Sequence, residues 1–450
     1  MPLPPAESRG ASVAAGKVGV SMTQPLGRRS RDGTGRRLAL LALLVFVGAN
    51  LRSILLGVPP VLPLIQRDLG LSHTAIGLLT ALPVLCMGAA AWPCGWLAGR
   101  LGGRTSVAIG LTMLAAGGLL RSVWPGALPL YLFTVLLSLG IALGQTTIIV
   151  LMRLWFPDRI GLVSALYTDG IIAGEALSAG LTVPVILHWL GRDAWRGSFV
   201  AWSLPALVAL ALWLWIAPGR QAPGRDRITA LPAQVSSVRR SAASRGVLSL
   251  ALRLGLLSGS GSVLYFGMNA WIAPYDTALG HAGMASLALG ILNASQLPVC
   301  LALTPLAQRM AGRRWPFMIA GCVCVGCISG WVLAPYTWQP LWAALLGASG
   351  VSTLVLGIGL PPLFATRENI GRLAGGALTV SYGLGFLGPL AGGPLWDLSR
   401  HAALAFLPVG VAGFGLIVLG ATLPSPPDTD RGAIGPAGPT LRPIAADREG

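Results

Sequence analysis

Three charged side chains lie well inside stretches of sequence that are otherwise apolar. Arg52 lies in one such stretch, two residues after Asn50, and Asp169 and Glu175 share another. A guanidinium presents several hydrogen-bond donors in a fixed plane, which suits a small planar anion. A charge at the centre of a lipid bilayer is unfavourable unless it is paired or faces water. If these stretches lie in lipid, the three residues are the first candidates for binding an ion or a polar solute.

Asp169 and Glu175 are six residues apart, and this spacing limits what they can do together. Six residues of helix turn through about 600°, so the two side chains project about 120° apart and do not form a carboxylate pair. Either acid is expected to pair with Arg52 or to carry a proton, since burial favours the neutral form of a carboxyl group. Asp169 lies nearer the start of its stretch, so its side chain has a third option, which is to reach the membrane surface.

The composition supports the membrane interpretation. Of 450 residues, 54% are hydrophobic and only 10% are charged, whereas a soluble domain carries about 25% charged residues. So few charges cannot cover a surface that faces water. Six cysteines, all within apolar runs, exclude a disulfide scaffold. The chain nevertheless has a net charge of +17, which needs an explanation.

Twelve apolar stretches are long enough to cross about 30 Å of hydrocarbon. Each should be helical, because backbone groups in lipid must be hydrogen-bonded internally. The predicted spans are 38–65, 75–98, 105–123, 128–152, 160–186, 197–217, 248–273, 284–307, 315–334, 338–363, 373–396 and 402–423. Prolines inside these spans predict kinks. A membrane helix tolerates proline because neighbouring helices satisfy the backbone groups that it leaves unpaired. These prolines are Pro59, Pro60, Pro83, Pro93, Pro361, Pro362 and Pro389.

The spans form two sets of six, and a short sequence recurs at equivalent places in both. Leu97–Thr105 and Leu306–Arg314 are identical at five of nine positions. Parallel six-helix repeats are typical of transporters, whose substrate site lies at the repeat interface. We therefore predict an all-α membrane protein of two six-helix pseudo-repeats. Its expected parts are a disordered tail (1–36), a first bundle (37–217), a basic linker (218–247), a second bundle (248–423) and a disordered tail (424–450).

Most of the basic residues lie on one side of the membrane in the predicted topology. Twenty-five of the 32 basic residues fall on the side of the termini and five on the other, while Arg52 and Arg253 lie within spans. This asymmetry places both termini in the cytoplasm of a bacterium, with the chain crossing the inner membrane many times. The arginines are spread over separate segments and form no single basic face, so nucleic acid is not an expected partner.

The short loop Gly95–Arg104 resembles the signature loop of the major facilitator superfamily. Within that superfamily, the chain resembles the cyanate/2-nitroimidazole transporter family over roughly residues 40–420. The resemblance rests on Asn50-Leu-Arg52, Leu79-Thr-Ala-Leu-Pro-Val84, Gly118-Leu-Leu-Arg121, Phe156-Pro-Asp-Arg159, Ala270-Trp271 and Gln296-Leu-Pro298. It implies the major facilitator fold, and it favours a cavity-facing role for Arg52, because span 1 usually lines the cavity in this superfamily.

The resemblance also implies gating residues. The loop after span 2 contributes Gly95, Arg100, Gly103 and Arg104. Gly99 stands where the superfamily usually has an acid, so the usual lock across the domain interface cannot involve that position. Toward the outer end of span 7, Asn269 and Trp271 are candidates for an external gate, and an anchor at the membrane interface is the other interpretation of Trp271.

Neutral polar residues near the middle of the spans complete the candidate substrate site. Each is as well suited to a hydrogen bond between helices as to substrate contact. They are Asn50, Gln145, Asn293, Gln296 and Tyr382. The family resemblance favours Gln296 among them.

Together these features predict a secondary active transporter that works by alternating access. The expected substrate is a small polar or anionic solute, cyanate-like or nitroheterocycle-like, and proton coupling stays open. An exporter of drugs or metabolites on the same fold is the alternative, and a membrane-embedded sensor or enzyme is less well supported. We expect no catalytic residues, no metal site and no cofactor, and a monomer whose partners are the solute, the bilayer and, if coupled, protons.

Overall fold

The computed structural model describes residues 31–218, 245–310, 312–365 and 370–424. The expected tails and the expected basic linker lie outside these ranges except at their edges. The first helix begins at Arg31, within the segment expected to be a tail. Within the described ranges every regular element is helical, and twelve helices are long and apolar enough to cross a membrane. The predicted fold class is confirmed.

Seven of the described spans are single helices and five are interrupted. The single helices are His73–Leu101 (span 2), Gly103–Val123 (span 3), Ala127–Trp155 (span 4), Trp195–Ile216 (span 6), Arg245–Ala278 (span 7), Trp315–Leu333 (span 9) and Ile370–Ser399 (span 11). The interrupted ones are span 1 (Arg31–Leu56 and Leu62–Leu69), span 5 (Ile160–Leu181, Thr182–Leu187 and His188–Leu190), span 8 (Ala282–Ala294 and Gln296–Met310), span 10 (Gln339–Ile358 and Leu360–Phe364) and span 12 (Ala402–Phe406 and Leu407–Ala421).

Proline interrupts some spans and not others. Span 1 breaks around Pro59 and span 10 breaks just before Pro361, as predicted. The helix continues through Pro83, Pro93 and Pro389, because one missing N–H leaves the remaining helical hydrogen bonds in place.

Span 8 has a break that bears directly on the candidate site. Its two segments are separated by Ser295, and Pro298 has no N–H to donate to the carbonyl group of Ala294, four residues earlier. Asn293 and Gln296 lie on either side of this break. Their amides are therefore carried by backbone that leaves the regular helical path.

The two bundles share an extensive hydrophobic core at one end, and a smaller cluster of Ile172, Cys300 and Val351 also contains residues of both. We call the end where span 1 begins proximal and the opposite end distal. At the distal end one core contains residues of both bundles, such as Phe199 and Trp271. Toward the proximal end there are two cores, one around Trp213 in the first bundle and one around Phe317 in the second.

Close backbone contacts hold the distal end together. A Cβ added to Gly77 of span 2 would lie 2.8 Å from the carbonyl oxygen of Pro389 of span 11, and one on Gly393 would lie 2.6 Å from that of His73. At the proximal part of span 2, a Cβ on Gly95 would meet no described atom within 4 Å. The structure is thus closed between the bundles at the distal end.

Spans 1 and 5 pack closely within the first bundle, and this packing positions two candidate residues. A Cβ added to Gly170 would lie 2.6 Å from the carbonyl oxygen of Val45, and one on Gly174 would overlap that of Ala49. Small residues allow membrane helices to approach in this way. Gly174 precedes Glu175, so the close approach brings that carboxylate toward span 1 and Arg52.

The substitution Gly174→Ala tests this packing. The added methyl group must push spans 1 and 5 apart, and we expect a loss of about 1–3 kcal/mol of stability, seen as a lower melting temperature of the purified protein in detergent. Gly161→Ala is the matched control, because a Cβ there meets no described atom within 4 Å. Equal melting temperatures for the two variants would contradict the close packing.

Candidate functional site at the interface of the bundles

Arg52 of span 1 and Glu175 of span 5 form a buried ion pair on the side of the first bundle that meets the second. Arg52 Nε lies 3.8 Å from Glu175 Oε1, and the two side chains are 12% and 6% exposed. At this distance the charges attract but no hydrogen bond forms. Of the two acids considered from the sequence, Glu175 is the one that pairs with Arg52.

The guanidinium of Arg52 has donors that nothing in the described chain satisfies. Its Nε and Nη1 atoms are buried without a hydrogen-bond partner among the residues the structure describes. A buried donor left unpaired is costly. The group therefore has both a charge and free N–H groups with which to hold a polar solute.

Three tyrosines lie near this cation. Tyr167 of span 5, Tyr265 of span 7 and Tyr382 of span 11 are close enough to Arg52 for their hydroxyl groups to interact electrostatically with it. They are half of the chain's six tyrosines. Sequence analysis had selected only Tyr382; the scarcity of tyrosine and its position inside apolar spans are the signals that could have found the other two.

The second bundle contributes a network of amides to the same place. Asn293 Nδ2 donates to Asn269 Oδ1 at 2.9 Å, and Gln296 Nε2 donates to Asn293 Oδ1 at 3.3 Å. Tyr265 Oη lies 3.1 Å from Asn293 Oδ1 and within hydrogen-bonding reach of Glu175. Its single proton serves one of these acceptors at a time. Tyr265 thus links the ion pair of the first bundle to the amides of the second.

The other predicted substrate and coupling residues lie around this network with different surroundings. Asn50 is buried, and its Nδ2 donates to the carbonyl oxygen of Phe46 at 2.8 Å, while Oδ1 has no partner in the described ranges. Gln145 is half-buried on span 4. Asp169 does not pair with Arg52, and its carboxylate accepts a hydrogen bond from the thiol of Cys300 of span 8.

The predicted gating loop makes its described contacts within the first bundle. Arg104 donates to the carbonyl oxygen of Leu214, and Trp213 Nε1 donates to the carbonyl oxygen of Arg104 at 2.9 Å. Gly103 abuts Leu151, and Arg100 lies over the ring of Trp96 at 3.9 Å. These contacts tie the loop to spans 2, 4 and 6. Their role in gating stays a prediction.

Trp271 is fully buried between the bundles. Its ring centroid lies 5.9 Å from that of Trp396 of span 11. An anchor at the lipid interface requires an exposed ring, so that interpretation of Trp271 was wrong. The neighbouring candidate, Asn269, is also buried and joins the amide network described above.

A carboxylate closes the distal end by binding the start of a helix in the other bundle. Asp397 of span 11 accepts from the backbone N–H groups of His73 at 3.1 Å and Thr74 at 2.8 Å, and from the Thr74 hydroxyl at 2.6 Å. The free N–H groups and the dipole at a helix N-terminus favour a negative charge. Asp397 also lies 2.7 Å from His73 Nδ1. Sequence analysis missed this residue because the predicted span ended one residue before it.

A search of family models finds a match to the Major Facilitator Superfamily over residues 38–393. The chain belongs to the major facilitator superfamily. As a major facilitator protein it is a multi-pass membrane protein and a secondary transporter, and it is not an enzyme. The superfamily assignment predicted from the loop after span 2 and from the two repeats is confirmed.

Two curated major facilitator proteins are similar over most of their length. The cyanate transport protein CynX of Escherichia coli is 29% identical over 389 residues, which cover 84% of this chain and 96% of that protein. The 2-nitroimidazole transporter of the same organism is 24% identical over 386 residues, covering 85% and 95%. The predicted resemblance to these two transporters is confirmed.

The likeness to solved major facilitator structures concerns the fold. The crystal structure of a D-xylose-proton symporter matches with a TM-score of 0.67 at 14% identity, covering 86% of this chain and 97% of the other.

The substitution Asp397→Asn tests the distal contact. The amide keeps one acceptor oxygen but loses the charge, so the amide N–H groups at the start of span 2 should exchange with deuterium about tenfold faster, equivalent to about 1.4 kcal/mol. Hydrogen–deuterium exchange with mass spectrometry measures this.

The control is Asp68→Asn. Asp68 is a carboxylate at the same end whose described partners, Trp195 and Arg196, lie in its own bundle. Unchanged exchange at residues 73–78 in Asp397→Asn would show that the contact does not hold the bundles together.

Proposed function

We propose that the protein is a proton-coupled transporter of a small anion of the cyanate type. The observation that carries this proposal is the guanidinium of Arg52, buried where the two bundles meet, with Nε and Nη1 free of described hydrogen-bond partners. A cation at such a place selects for negative charge. The similarity to a cyanate transport protein supports the same substrate class.

The surroundings of Arg52 favour a small solute. Three tyrosines from both bundles lie near the guanidinium, and one of them, Tyr265, contacts the amide of Asn293. A planar group with several donors binds a compact anion through more than one N–H, and aromatic walls limit its size. The tyrosine hydroxyls and the amides supply further hydrogen bonds to the anion.

Glu175 is the residue that couples anion transport to proton transport. While Glu175 is charged it compensates Arg52 at 3.8 Å, and a substrate anion must compete with it. Protonation of Glu175 removes that competition, so the anion and the proton bind together. The Tyr265 hydroxyl can then donate to Asn293 instead of Glu175. Binding of both species in one step leads to cotransport of an anion with a proton.

Alternating access supplies the transport cycle. The bundles meet at the distal end through Asp397 and the start of span 2. By the distribution of basic residues, the proximal end faces the cytoplasm, so this state is open toward the cytoplasm of a bacterial inner membrane. Rocking of the two bundles around Arg52 must break the distal contact to expose the site to the other side. We propose that a monomer performs this cycle.

A neutral nitroheterocycle is the second candidate substrate. A relative that transports 2-nitroimidazole is 24% identical, and the tyrosines around Arg52 offer aromatic faces for a flat ring. Nitro oxygens accept hydrogen bonds from a guanidinium without carrying a full charge. Transport of such a neutral solute would not require a protonated Glu175. An exporter of apolar cargo, by contrast, would have no use for Arg52.

The substitution Arg52→Gln should abolish most transport of cyanate. Loss of charge-assisted hydrogen bonds costs about 1.5–3 kcal/mol, or roughly 10–100-fold in uptake. Counterflow of radiolabelled cyanate in proteoliposomes measures it. Arg253→Gln is the matched control, because Arg253 also lies within a span but is exposed. Equal uptake by Arg52→Gln and the wild type would sink the proposal.

The substitution Glu175→Gln should abolish proton-driven accumulation of cyanate and leave cyanate exchange intact. The amide mimics the protonated acid, so cyanate counterflow should persist, while accumulation driven by a pH gradient should fall to the level of empty liposomes. Asp169→Asn is the companion variant and should keep accumulation, because Asp169 has no contact with Arg52. Full gradient-driven accumulation in Glu175→Gln would refute proton coupling through Glu175.

A further inference from the structure

Arg121, near the distal end of span 3, has surroundings that its position in the sequence does not suggest. It is one of the five basic residues counted on the side opposite the termini, yet it is only 1% exposed. An arginine that marks the membrane surface keeps its charge in water. The burial of Arg121 therefore calls for a compensating group.

The described chain provides only part of that compensation. Arg121 Nη2 donates to the carbonyl oxygen of Ile54 at 2.8 Å, and the guanidinium lies 4.0 Å over the ring of Phe199. Nε is buried without a partner, and no carboxylate in the described ranges lies within ion-pair distance of Arg121. A cation–π contact contributes about 2 kcal/mol when desolvated, which is less than the cost of burying a charge.

Arg121 lines a cavity between the two bundles. The cavity has a volume of about 30 Å³ and lies among residues of spans 1 to 4 and span 7. The polar residues among them are Thr80, Arg121, Thr134 and Asn269, and the rest are apolar. A mostly apolar wall with a few polar groups is typical of a small-molecule site.

The cavity adjoins the site around Arg52. Asn269 lines the cavity, and its Oδ1 accepts from Asn293 of the central network at 2.9 Å. Asn269 Nδ2 uses one hydrogen on the carbonyl oxygen of Tyr265, which leaves the second for a ligand. Asn269 thus connects the wall of the cavity that contains Arg121 to the amide network of the central site.

We propose that Arg121 forms a second anion-binding site, on the distal side of Arg52, for the same class of small monovalent anion. This inference rests on the proposed function, since it assumes that the transported solute is negatively charged. Nε of Arg121 and the free amide hydrogen of Asn269 donate to the anion, whose charge completes the compensation of the guanidinium. Two successive sites of moderate affinity let an ion enter without holding it too tightly to leave.

A purely structural role for Arg121 is the competing explanation. By binding Ile54 near the break in span 1 and stacking on Phe199, the side chain also braces the distal end of the first bundle. A structural role requires the stack and the carbonyl contact but not the cavity. Filling the cavity while leaving Arg121 in place therefore separates the two explanations.

Saturation binding of radiolabelled cyanate to the purified protein tests the second site. The wild type should bind two equivalents. Arg121→Gln should bind one, and so should Thr80→Leu, which fills the cavity without touching the contacts of Arg121. Arg196→Gln should still bind two, because Arg196 also stacks on a tryptophan and bonds a carbonyl oxygen at the same end, but it has Asp68 as partner.

The outcomes distinguish the second site from the proposed function. Loss of one equivalent in Thr80→Leu with an unchanged melting temperature supports the site, even if Arg121→Gln fails to fold. Wild-type binding by Thr80→Leu and Arg121→Gln, or one equivalent in the wild type that only Arg52→Gln removes, overturns it while leaving the proposed function intact. Unchanged binding in Arg52→Gln overturns the proposed function instead.

Discussion

The burial of the Arg52 guanidinium is the interaction on which the rest of the site depends. An arginine among apolar helices must be compensated, and a single carboxylate at 3.8 Å does this only in part. Compensation requires spans 1 and 5 to approach closely, which the glycines before Glu175 permit. Three tyrosines also lie near the guanidinium, and Tyr265 connects it to the amide of Asn293 beside the break in span 8. The remaining free donors are what a substrate can use.

At the distal end, too, a charged group compensates unpaired polar groups. There Asp397 compensates the free N–H groups at the start of a helix that belongs to the other bundle. The contact is made of hydrogen bonds and close backbone packing, and both depend steeply on distance. Closure of this kind is lost as a unit when the bundles move apart, which gives a transporter two distinct states. In the proposed cycle, the charges at the centre serve binding and those at the distal end serve closure.

Much of the fold could be predicted because its determinants are local. Apolar runs of sufficient length, a repeated motif and the sorting of arginines predicted twelve helices in two repeats, and the spans agree within a few residues at most ends. Proline was a weaker guide, since Pro59 marks a break while Pro83 and Pro389 lie in continuous helices. Whether a helix breaks at a proline depends on the helices packed against it, and the sequence of the segment alone does not specify that packing.

By itself the sequence determined the membrane setting, the helical repeats and the presence of charges where lipid should exclude them. Tertiary structure decided which of those charges meet. It paired Arg52 with Glu175 and turned Asp169 toward Cys300, and it buried Arg121 and placed Asp397 against the other bundle. The hydropathy of a segment depends on its own residues and is the same however the helices pack. Ion pairs and helix caps require atoms from different spans to lie within a few ångströms, and only the packing of the helices sets those distances.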